Sequence, residues 1–187
     1  MNKFGPLLLI LLFFPRSADS QSVTVSPSAT VQGGTITATW SGFSGNVNIE
    51  VWKGGSFWTY ASTNVSGSGS QNLVTTSWEL RGDYRVKVVL RSNTSVYAFS
   101  GYFSVSQPNV SVSPTSVQQG GTVVASWSGF SGNVNIEVWK GSSLWTYAST
   151  NVAGSGSLNL VTTSWEIRSD YRVKVVLRDN TNIYQFS

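Results

Sequence analysis

The sequence predicts an all-β protein made of two tandem antiparallel β-sandwiches. The first indication is a repeat, because residues 40–54 recur without a change as residues 127–141. The second is strict alternation, which sends Val47, Ile49 and Val51 to one side of a strand and the residues between them to the other. The third is a succession of short alternating runs, separated by turn residues about every 8–12 positions. No run has helical periodicity.

The first module is predicted to cover residues 21–106, following its turn signals. Gly-rich and Ser-rich segments at residues 32–34, 53–56, 66–70 and 81–83 separate the alternating runs. The predicted strands are residues 23–26, 35–40, 47–52, 57–61, 72–74, 84–90, 97–99 and 102–105.

The second module is predicted to cover residues 107–187 and repeats the first, but not its last strand. The first module continues past Ser100 into residues 101–105, whereas Ser187, the equivalent of Ser100, is the last residue of the sequence. The second sandwich is therefore expected to lack its closing strand. Either the sequence is a fragment of a longer chain, or the open edge pairs with a partner protein or a second copy.

A tyrosine motif narrows the fold class to immunoglobulin-like sandwiches. Residues 82–86 have the pattern of a tyrosine corner, in which a tyrosine at the start of a strand hydrogen-bonds to the preceding turn. Tyr84 and its equivalent Tyr171 are expected in this role. Trp40 and Trp127 are expected to fill the space between the two sheets.

The composition indicates an extracellular protein. Only 11% of the residues are charged, against about 25% in an average globular protein, so Ser, Thr, Asn and Gly must supply the polar surface. The formal net charge of +4 comes from scattered basic residues, without the clustered patch of a nucleic-acid-binding protein. We predict no nucleic-acid partner.

The first residues predict secretion. Residues 1–20 have the features of a signal peptide: Lys3, an apolar run at residues 7–14 and a small-x-small cleavage site at residues 18–20. The apolar run is shorter than the roughly 20 residues that cross a membrane. We expect no membrane span after cleavage.

The chemistry-bearing residues argue against an enzyme. The chain has no cysteine and no histidine, which removes the usual metal ligands and His-based triads. A glycosidase needs two facing carboxylates roughly 5–10 Å apart. Glu50 lies mid-strand and Asp83 lies in a turn beside Arg81, so both are expected to be solvated surface charges. We predict no catalytic residue, no metal site and no cofactor.

The aromatic residues are the candidate binding surface. Trp52 is out of phase with Val51 and should face away from the core, while alternation places Trp58 and Tyr60 together across the turn. A flat aromatic surface of this kind can stack against sugar rings. Alternatively, the rings only cover the outer sheet or the contact between modules, because aromatic cross-strand pairs stabilise sheets. The glycan-stacking candidates are Trp52, Trp58, Tyr60, Trp139, Trp145 and Tyr147.

Three sequons mark candidate N-glycosylation sites. Asn64, Asn93 and Asn109 each begin an Asn-x-Ser/Thr motif and are N-glycosylation acceptors if the host is eukaryotic. The equivalents of the first two in the second module have lost the motif.

Several short motifs resemble a known family. Gly-Gly-Thr-x-x-x-x-Trp-Ser, Val-x-Ile-x-Val-Trp, Trp-Glu-Leu before Asp-Tyr-Arg-Val-Lys-Val, and Tyr-Phe-Ser-Val follow one another in the first module. Together they resemble the Ser/Thr-rich GPI-anchored membrane family, whose founding members are yeast cell-wall proteins needed for β-1,6-glucan assembly. The resemblance covers each module nearly end to end. It implies a secreted immunoglobulin-like domain that acts at the cell wall or surface, with no catalytic residues to carry over.

These observations predict a secreted, non-catalytic module of the cell surface or cell wall that binds or organises a polysaccharide through exposed aromatics. The alternative is a structural or adhesive protein that assembles with other proteins, or with itself, through the open edge of the second sandwich.

Overall fold

The computed structural model describes residues 20–187, so the predicted signal peptide lies outside the described residues except for Ser20. The chain is an all-β protein of two tandem immunoglobulin-like β-sandwiches, as predicted. Residues 20–187 contain no helix that is long and apolar enough to cross a membrane.

The strands follow the turn signals of the sequence. The first module contains β1 (Ser22–Ser26), β2 (Ala29–Val31), β3 (Thr35–Ser41), β4 (Val47–Lys53), β5 (Ser56–Val65), β6 (Gly69–Val74), β7 (Arg81–Leu90), β8 (Tyr97–Phe99) and β9 (Phe103–Ser106). The second contains β10 (Asn109–Ser113), β11 (Thr122–Ser128), β12 (Val134–Lys140), β13 (Ser143–Val152), β14 (Gly156–Val161), β15 (Tyr171–Leu177) and β16 (Tyr184–Phe186).

Two sheets form the first sandwich. One has the order β1-β3-β6 and the other β2-β9-β7-β4-β5, with β8 also paired to β7. β8 and β9 occupy the same edge of β7, because β8 pairs with residues 87–89 and β9 pairs with Arg81 and Tyr84. They are therefore two halves of one closing strand, interrupted at residues 100–102. β2 then adds parallel to β9.

The alternation of the sequence places the predicted core residues between the sheets. Val47, Ile49 and Val51 of β4 are buried, and Trp40 of β3 is 5% exposed. The Trp40 indole N–H donates a hydrogen bond of 2.9 Å to the carbonyl of Ser66, so its one polar group is satisfied. Trp127 makes the equivalent bond of 2.8 Å in the second module.

The tyrosine corner is confirmed in the first module. Tyr84 is fully buried, and its hydroxyl donates to the carbonyl of Glu79 at 3.1 Å. Tyr171 contacts the same turn in a different way, since its hydroxyl accepts a hydrogen bond of 3.0 Å from the backbone N–H of Glu166. Tyr171 is also only half-buried.

The two sandwiches differ at their closing edge among the described residues, because these reach only to Ser187, the equivalent of Ser100. β16 is the counterpart of β8, and residues 109–187 contain no counterpart of β9. Residues 116–118, the counterpart of β2, do not form a strand either. This follows from the pairing in the first module, where β2 is hydrogen-bonded only to β9. Without a counterpart of β9 among the described residues, residues 116–118 have no strand with which to pair.

The modules touch directly at a junction. The turn at Gly33 lies against the second module, so that a Cβ on Gly33 would lie 2.7 Å from Ile183 Cδ1 and 3.1 Å from Ser131 Oγ. A Cβ on Gly129 would lie 3.0 Å from Val31 Cγ1. Ile183 is 2% exposed.

Candidate functional site

The outer face of the strands β5, β4, β7 and β8 carries a row of aromatic rings, which we call the aromatic strip. Trp52 lies at its centre, with its ring 6.5 Å from that of Phe57 and 5.3 Å from that of Phe99. Beyond them, the ring centres of Phe57 and Tyr60 lie 4.9 Å apart, and those of Phe99 and Tyr97 lie 5.8 Å apart. The strip therefore crosses all four strands.

A β-bulge decides which side chain of β5 joins the strip. Val51 pairs with Thr59, but the next residue, Trp52, pairs with Phe57, so Trp58 is the extra residue. A bulge of this kind interrupts the alternation of side chains along a strand. Phe57 thus shares a face with Tyr60 and Trp52, and the prediction that Trp58 would lie there is wrong.

Trp58 instead packs against the core. Its ring meets Trp78 edge-to-face at 5.2 Å and lies 5.9 Å from Tyr84, which is fully buried. Trp145 repeats these contacts with Trp165 at 5.5 Å and Tyr171 at 5.8 Å. Trp58 and Trp145 are part of the fold rather than of the outer surface.

No sequence signal separates the two positions. Trp58 is tryptophan in both modules and Phe57 is replaced by Leu144, but the exposed Tyr60 is also unchanged, as Tyr147. Identity between the modules therefore does not indicate burial.

A buried ion pair underlies the strip. Glu50 is 8% exposed, and its carboxylate accepts a hydrogen bond of 2.7 Å from the indole N–H of Trp52. The ammonium of Lys87 lies 3.8 Å from the same carboxylate oxygen. Glu50 is therefore not the solvated charge that its outward position predicted, because its carboxylate is buried in contact with Trp52 and Lys87.

Cations lie over the rings of the strip. Lys87 Nζ lies 5.0 Å from the centre of the Trp52 ring and 4.5 Å from that of Tyr97. The Arg85 guanidinium lies between Phe99 at 4.1 Å and Tyr102 at 4.7 Å. The quadrupole of each ring attracts such a cation, so the centre of the strip is held together by charge as well as by packing.

The second module repeats this arrangement. The Trp139 indole N–H donates to Glu137 at 2.8 Å, and Lys174 Nζ lies 5.1 Å from the Trp139 ring and 4.4 Å from that of Tyr184. The strip there consists of Tyr147, Leu144, Trp139, Phe186 and Tyr184.

Exposure is concentrated at the two ends of each strip. Tyr60 and Tyr97 are 51% and 49% exposed, and Tyr147 and Tyr184 are 52% and 47% exposed. Trp52 and Trp139 are half-buried. The central rings meet edge-to-face, with 88° between the planes of Trp52 and Phe99. The strip is consequently not the flat surface that the sequence predicted, and its most accessible rings are the tyrosines together with Phe57, which is 46% exposed.

The other carboxylates of the first module, Glu79 and Asp83, are held in ion pairs around the start of β7. Arg81 binds Asp83 through two nitrogens, at 2.5 and 2.8 Å, and also contacts Glu79 at 3.3 Å. The Arg81 hydrogen bonds hold the pKa of Asp83 below its usual range. Hydrogen bonds from Lys53 and then Arg81 do the same for the pKa of Glu79. Both carboxylates are thus ionised at neutral pH, which does not suit a general acid.

The second module has the same ion pairs among Lys140, Glu166, Arg168 and Asp170. Residues 20–187 contain no group of three or more acidic, Cys or His residues that could hold a metal ion.

The three predicted glycosylation sites lie on the surface. Asn64, Asn93 and Asn109 are all exposed. Asn64 has a φ of 58°, and its side-chain oxygen accepts a hydrogen bond of 3.0 Å from Asn46. Modification at these sites stays a prediction.

Among the comparisons with known proteins, only the one with solved structures found matches. No protein-family model matches the chain, and no curated protein matches it either. Among solved structures, the human OSCAR ligand-binding domain aligns at 14% identity over 89% of this chain and 93% of its own, with a TM-score of 0.35. The fibronectin(III)-like modules of Clostridium thermocellum CbhA align at 11% identity over 89% of this chain and 90% of theirs, with a TM-score of 0.31.

Proposed function

We propose that the protein is a secreted, non-catalytic module of the cell surface or cell wall that binds polysaccharide along its aromatic strips. The observation that carries this proposal is the pair of exposed tyrosines at the ends of each strip, which recurs in both modules. Tyr60 and Tyr97 are about half exposed in the first module, and Tyr147 and Tyr184 are about half exposed in the second.

The strip has the chemistry that a sugar chain requires. The C–H faces of a pyranose ring are apolar and can lie on an aromatic ring, while its hydroxyls need polar partners at the edge. The tyrosine hydroxyls and the Arg85 guanidinium supply such partners next to exposed ring faces. A site that combines aromatic surface with a few polar groups is the usual composition of a ligand site.

Duplication favours a polymer as the ligand. Two equivalent strips in one chain can engage two segments of the same polysaccharide, so the second contact forms at a high effective concentration. Weak stacking at each strip then suffices for retention on a polymer. A monosaccharide would gain nothing from the second strip.

The competing interpretation is that the rings serve only the stability of the sheet. It accounts well for Trp52, because this ring is half-buried and its N–H is used by Glu50. It accounts less well for Tyr60, whose ring is 51% exposed beside Phe57 at 46%. We therefore assign the centre of the strip to the fold and its ends to binding.

The test is a pull-down of the chain on insoluble β-glucan, chitin, cellulose and mannan. The variant Tyr60→Ala/Tyr147→Ala removes one exposed ring from each strip and should weaken retention about tenfold or more, as loss of two anchoring aromatics does at other interfaces. The matched control is Val74→Ala/Val161→Ala, which changes side chains that are 58% and 56% exposed on the opposite sheets. Retention on none of the polymers, or equal loss in the control, would overturn the proposal.

A further inference from the structure

The outer face of the first module carries one cation without a carboxylate partner. The ammonium of Lys87 lies 3.8 Å from the carboxylate of Glu50, so these two charges offset one another. Arg85 lies opposite Trp52 in the register of β4 and β7, and within residues 20–187 it forms no ion pair. This face therefore presents one positive charge that no acidic side chain of the described chain contacts.

Two aromatic rings hold the Arg85 side chain in place. Its guanidinium carbon lies 4.1 Å from the centre of the Phe99 ring and 4.7 Å from that of the Tyr102 ring. Each ring attracts the cation through its quadrupole, and a planar guanidinium that is already positioned loses little further freedom when it binds a ligand. Tyr102 is 58% exposed, so a ligand that reaches Arg85 also meets an open ring.

The hydrogen-bond donors of Arg85 are unused. A guanidinium has five N–H donors and no acceptor. In the part of the chain that the structure describes, the arginines that donate side-chain hydrogen bonds are Arg81, Arg168, Arg172 and Arg178. No buried side-chain nitrogen in that part of the chain lacks a partner, so the Arg85 nitrogens are open to solvent. Arg85 is thus a positioned cation whose donors can reach a ligand.

The second module has a similar cation at Arg172, which is exposed. Its guanidinium carbon lies 4.3 Å from the centre of the Phe186 ring, and one nitrogen donates a hydrogen bond of 2.8 Å to the carbonyl of Gly141. Hydrogen bonds from Arg168, and to a smaller degree the charge of Arg172, lower the pKa of Asp170. Because Arg168 already binds that carboxylate through two nitrogens, the remaining donors of Arg172 are open to a ligand.

We propose that Arg85 and Arg172 bind the carboxylate groups of an acidic polysaccharide, one built from uronic acids, whose sugar rings lie on the aromatic strips. This inference rests on the proposed function and names the class of polysaccharide. The N–H fork of a guanidinium matches a carboxylate in a bidentate, charge-assisted pair. In a uronic acid the carboxylate is attached directly to the sugar ring, so a ring that stacks on the strip places its carboxylate beside the arginine.

A polymer of uronic acids also suits the duplication of the module. It repeats the carboxylate along its length, so that binding at one arginine brings further carboxylates to the other at a high effective concentration. A neutral polysaccharide can stack on the rings, but it leaves both guanidinium groups without a charged acceptor. An acidic polypeptide supplies carboxylates on flexible side chains and has no apolar sugar face to lie on the tyrosines.

The first experiment compares one polymer with and without its charge. Polygalacturonate and the same polymer with methyl-esterified carboxyls are immobilised, and the dissociation constant of the chain is measured for each by biolayer interferometry. The salt concentration is about 0.15 M, where charges farther apart than about 8 Å are largely screened. Because a hydrogen bond to a charged group is strong enough to change a dissociation constant about tenfold, polygalacturonate should bind at least about tenfold more tightly. Equal binding of the two polymers, or no binding of polygalacturonate, would overturn the inference.

The second experiment removes the two arginines. The variant Arg85→Gln/Arg172→Gln should bind polygalacturonate about tenfold more weakly and should bind the methyl ester as before. The matched control is Arg91→Gln/Arg178→Gln, which removes the same charge at exposed, equivalent positions of the two modules. Thermal melting checks that both double variants are folded. An equal loss of affinity in the control would show a general attraction between charges and refute the assignment to Arg85 and Arg172.

A third set of measurements tests the geometry of the pair and the class of ligand. Arg85→Lys/Arg172→Lys keeps the charge but loses the planar fork, so it should restore only part of the affinity, and full affinity would contradict a bidentate pair. Poly-glutamate should bind more weakly than polygalacturonate, and equal binding with the same dependence on the arginines would identify an acidic polypeptide as the ligand instead.

The methyl ester separates this inference from the proposed function. The ester still offers sugar rings to the strips, so its binding, and the effect on it of Tyr60→Ala/Tyr147→Ala, report on stacking alone. If the ester binds as tightly as polygalacturonate and the tyrosine variant weakens both, the inference fails and the proposed function stands. If the tyrosine variant leaves the binding of both polymers and of the neutral polysaccharides unchanged, the proposed function fails, and this inference fails with it.

Discussion

Phe103→Ala tests how strongly the closing strand stabilises a sandwich. The side chain is 1% exposed and lies between Tyr84 and Trp78, both of which are buried. Truncation of a core phenylalanine costs about 3–5 kcal/mol, a large part of the roughly 5–15 kcal/mol that stabilises a typical domain. A domain of this size loses about 4–8 °C per kcal/mol, so the first module should melt at least about 12 °C lower.

Differential scanning calorimetry of the intact chain is the appropriate assay, since it can resolve separate transitions of the two modules. The transition of the first module should move, and that of the second should move far less. Tyr102→Ala is the matched control, because this neighbouring ring is 58% exposed and surface substitutions usually stay within about 0.5 kcal/mol. A shift for Phe103→Ala below about 4 °C, or one equal to the control, would refute the argument that β9 completes the core.

Three further predictions concern the junction, the aromatic strip and the ion pairs. A Cβ on Gly33 meets the second module at 2.7 Å, whereas one on Gly120 meets nothing within 4 Å, although their φ angles of +86° and +89° are alike. Gly33→Ala should therefore lower the melting temperature more than Gly120→Ala, and equal effects would contradict the junction contact. Lys87→Met leaves the Glu50 carboxylate without its cation and should destabilise the first module by about 1–3 kcal/mol; chemical denaturation measures this, and adding Glu50→Gln should restore part of the loss. Hydrogen bonds from Arg81 lower the pKa of Asp83 in the folded state. The contribution of this ion pair to stability is therefore present above the ordinary pKa of aspartate, and it is lost as the pH falls through the lower pKa of the folded state. Arg81→Gln should thus make stability less steeply dependent on pH below about pH 4, and an unchanged acid unfolding profile would show that the pair contributes nothing.

Much of the fold was predictable because burial follows a period of two in a strand. The residues at alternate positions of β4 and the tyrosine at the start of β7 point inward as that period requires. Turn chemistry set the limits of most strands. β2 escaped prediction, since its three residues are a strand only through their pairing with β9.

The site was predicted less well, because it depends on pairing between strands rather than on periodicity within one. The bulge at Trp58 changes the face of a single residue, and the pattern of hydrophobic residues does not reveal it. The pairing of Glu50 with Lys87 across β4 and β7 likewise depends on register. Alternation placed both side chains outward correctly, but it could not indicate that aromatic neighbours would bury the carboxylate.

The junction makes the two modules unequal partners in folding. Ile183 is 2% exposed, while Val96, the same position in the first module, is only half-buried. The difference follows from the Gly33 turn, which covers Ile183 and has no counterpart over Val96 among the described residues. The first sandwich can complete its core alone, whereas the second finishes one end of its core only when the first is folded beside it. In such a nearest-neighbour system the interface adds a coupling free energy to the intrinsic stability of each repeat. The first module leaves the ribosome first and therefore folds first. Its folded surface is then in place to cover one end of the core of the second module.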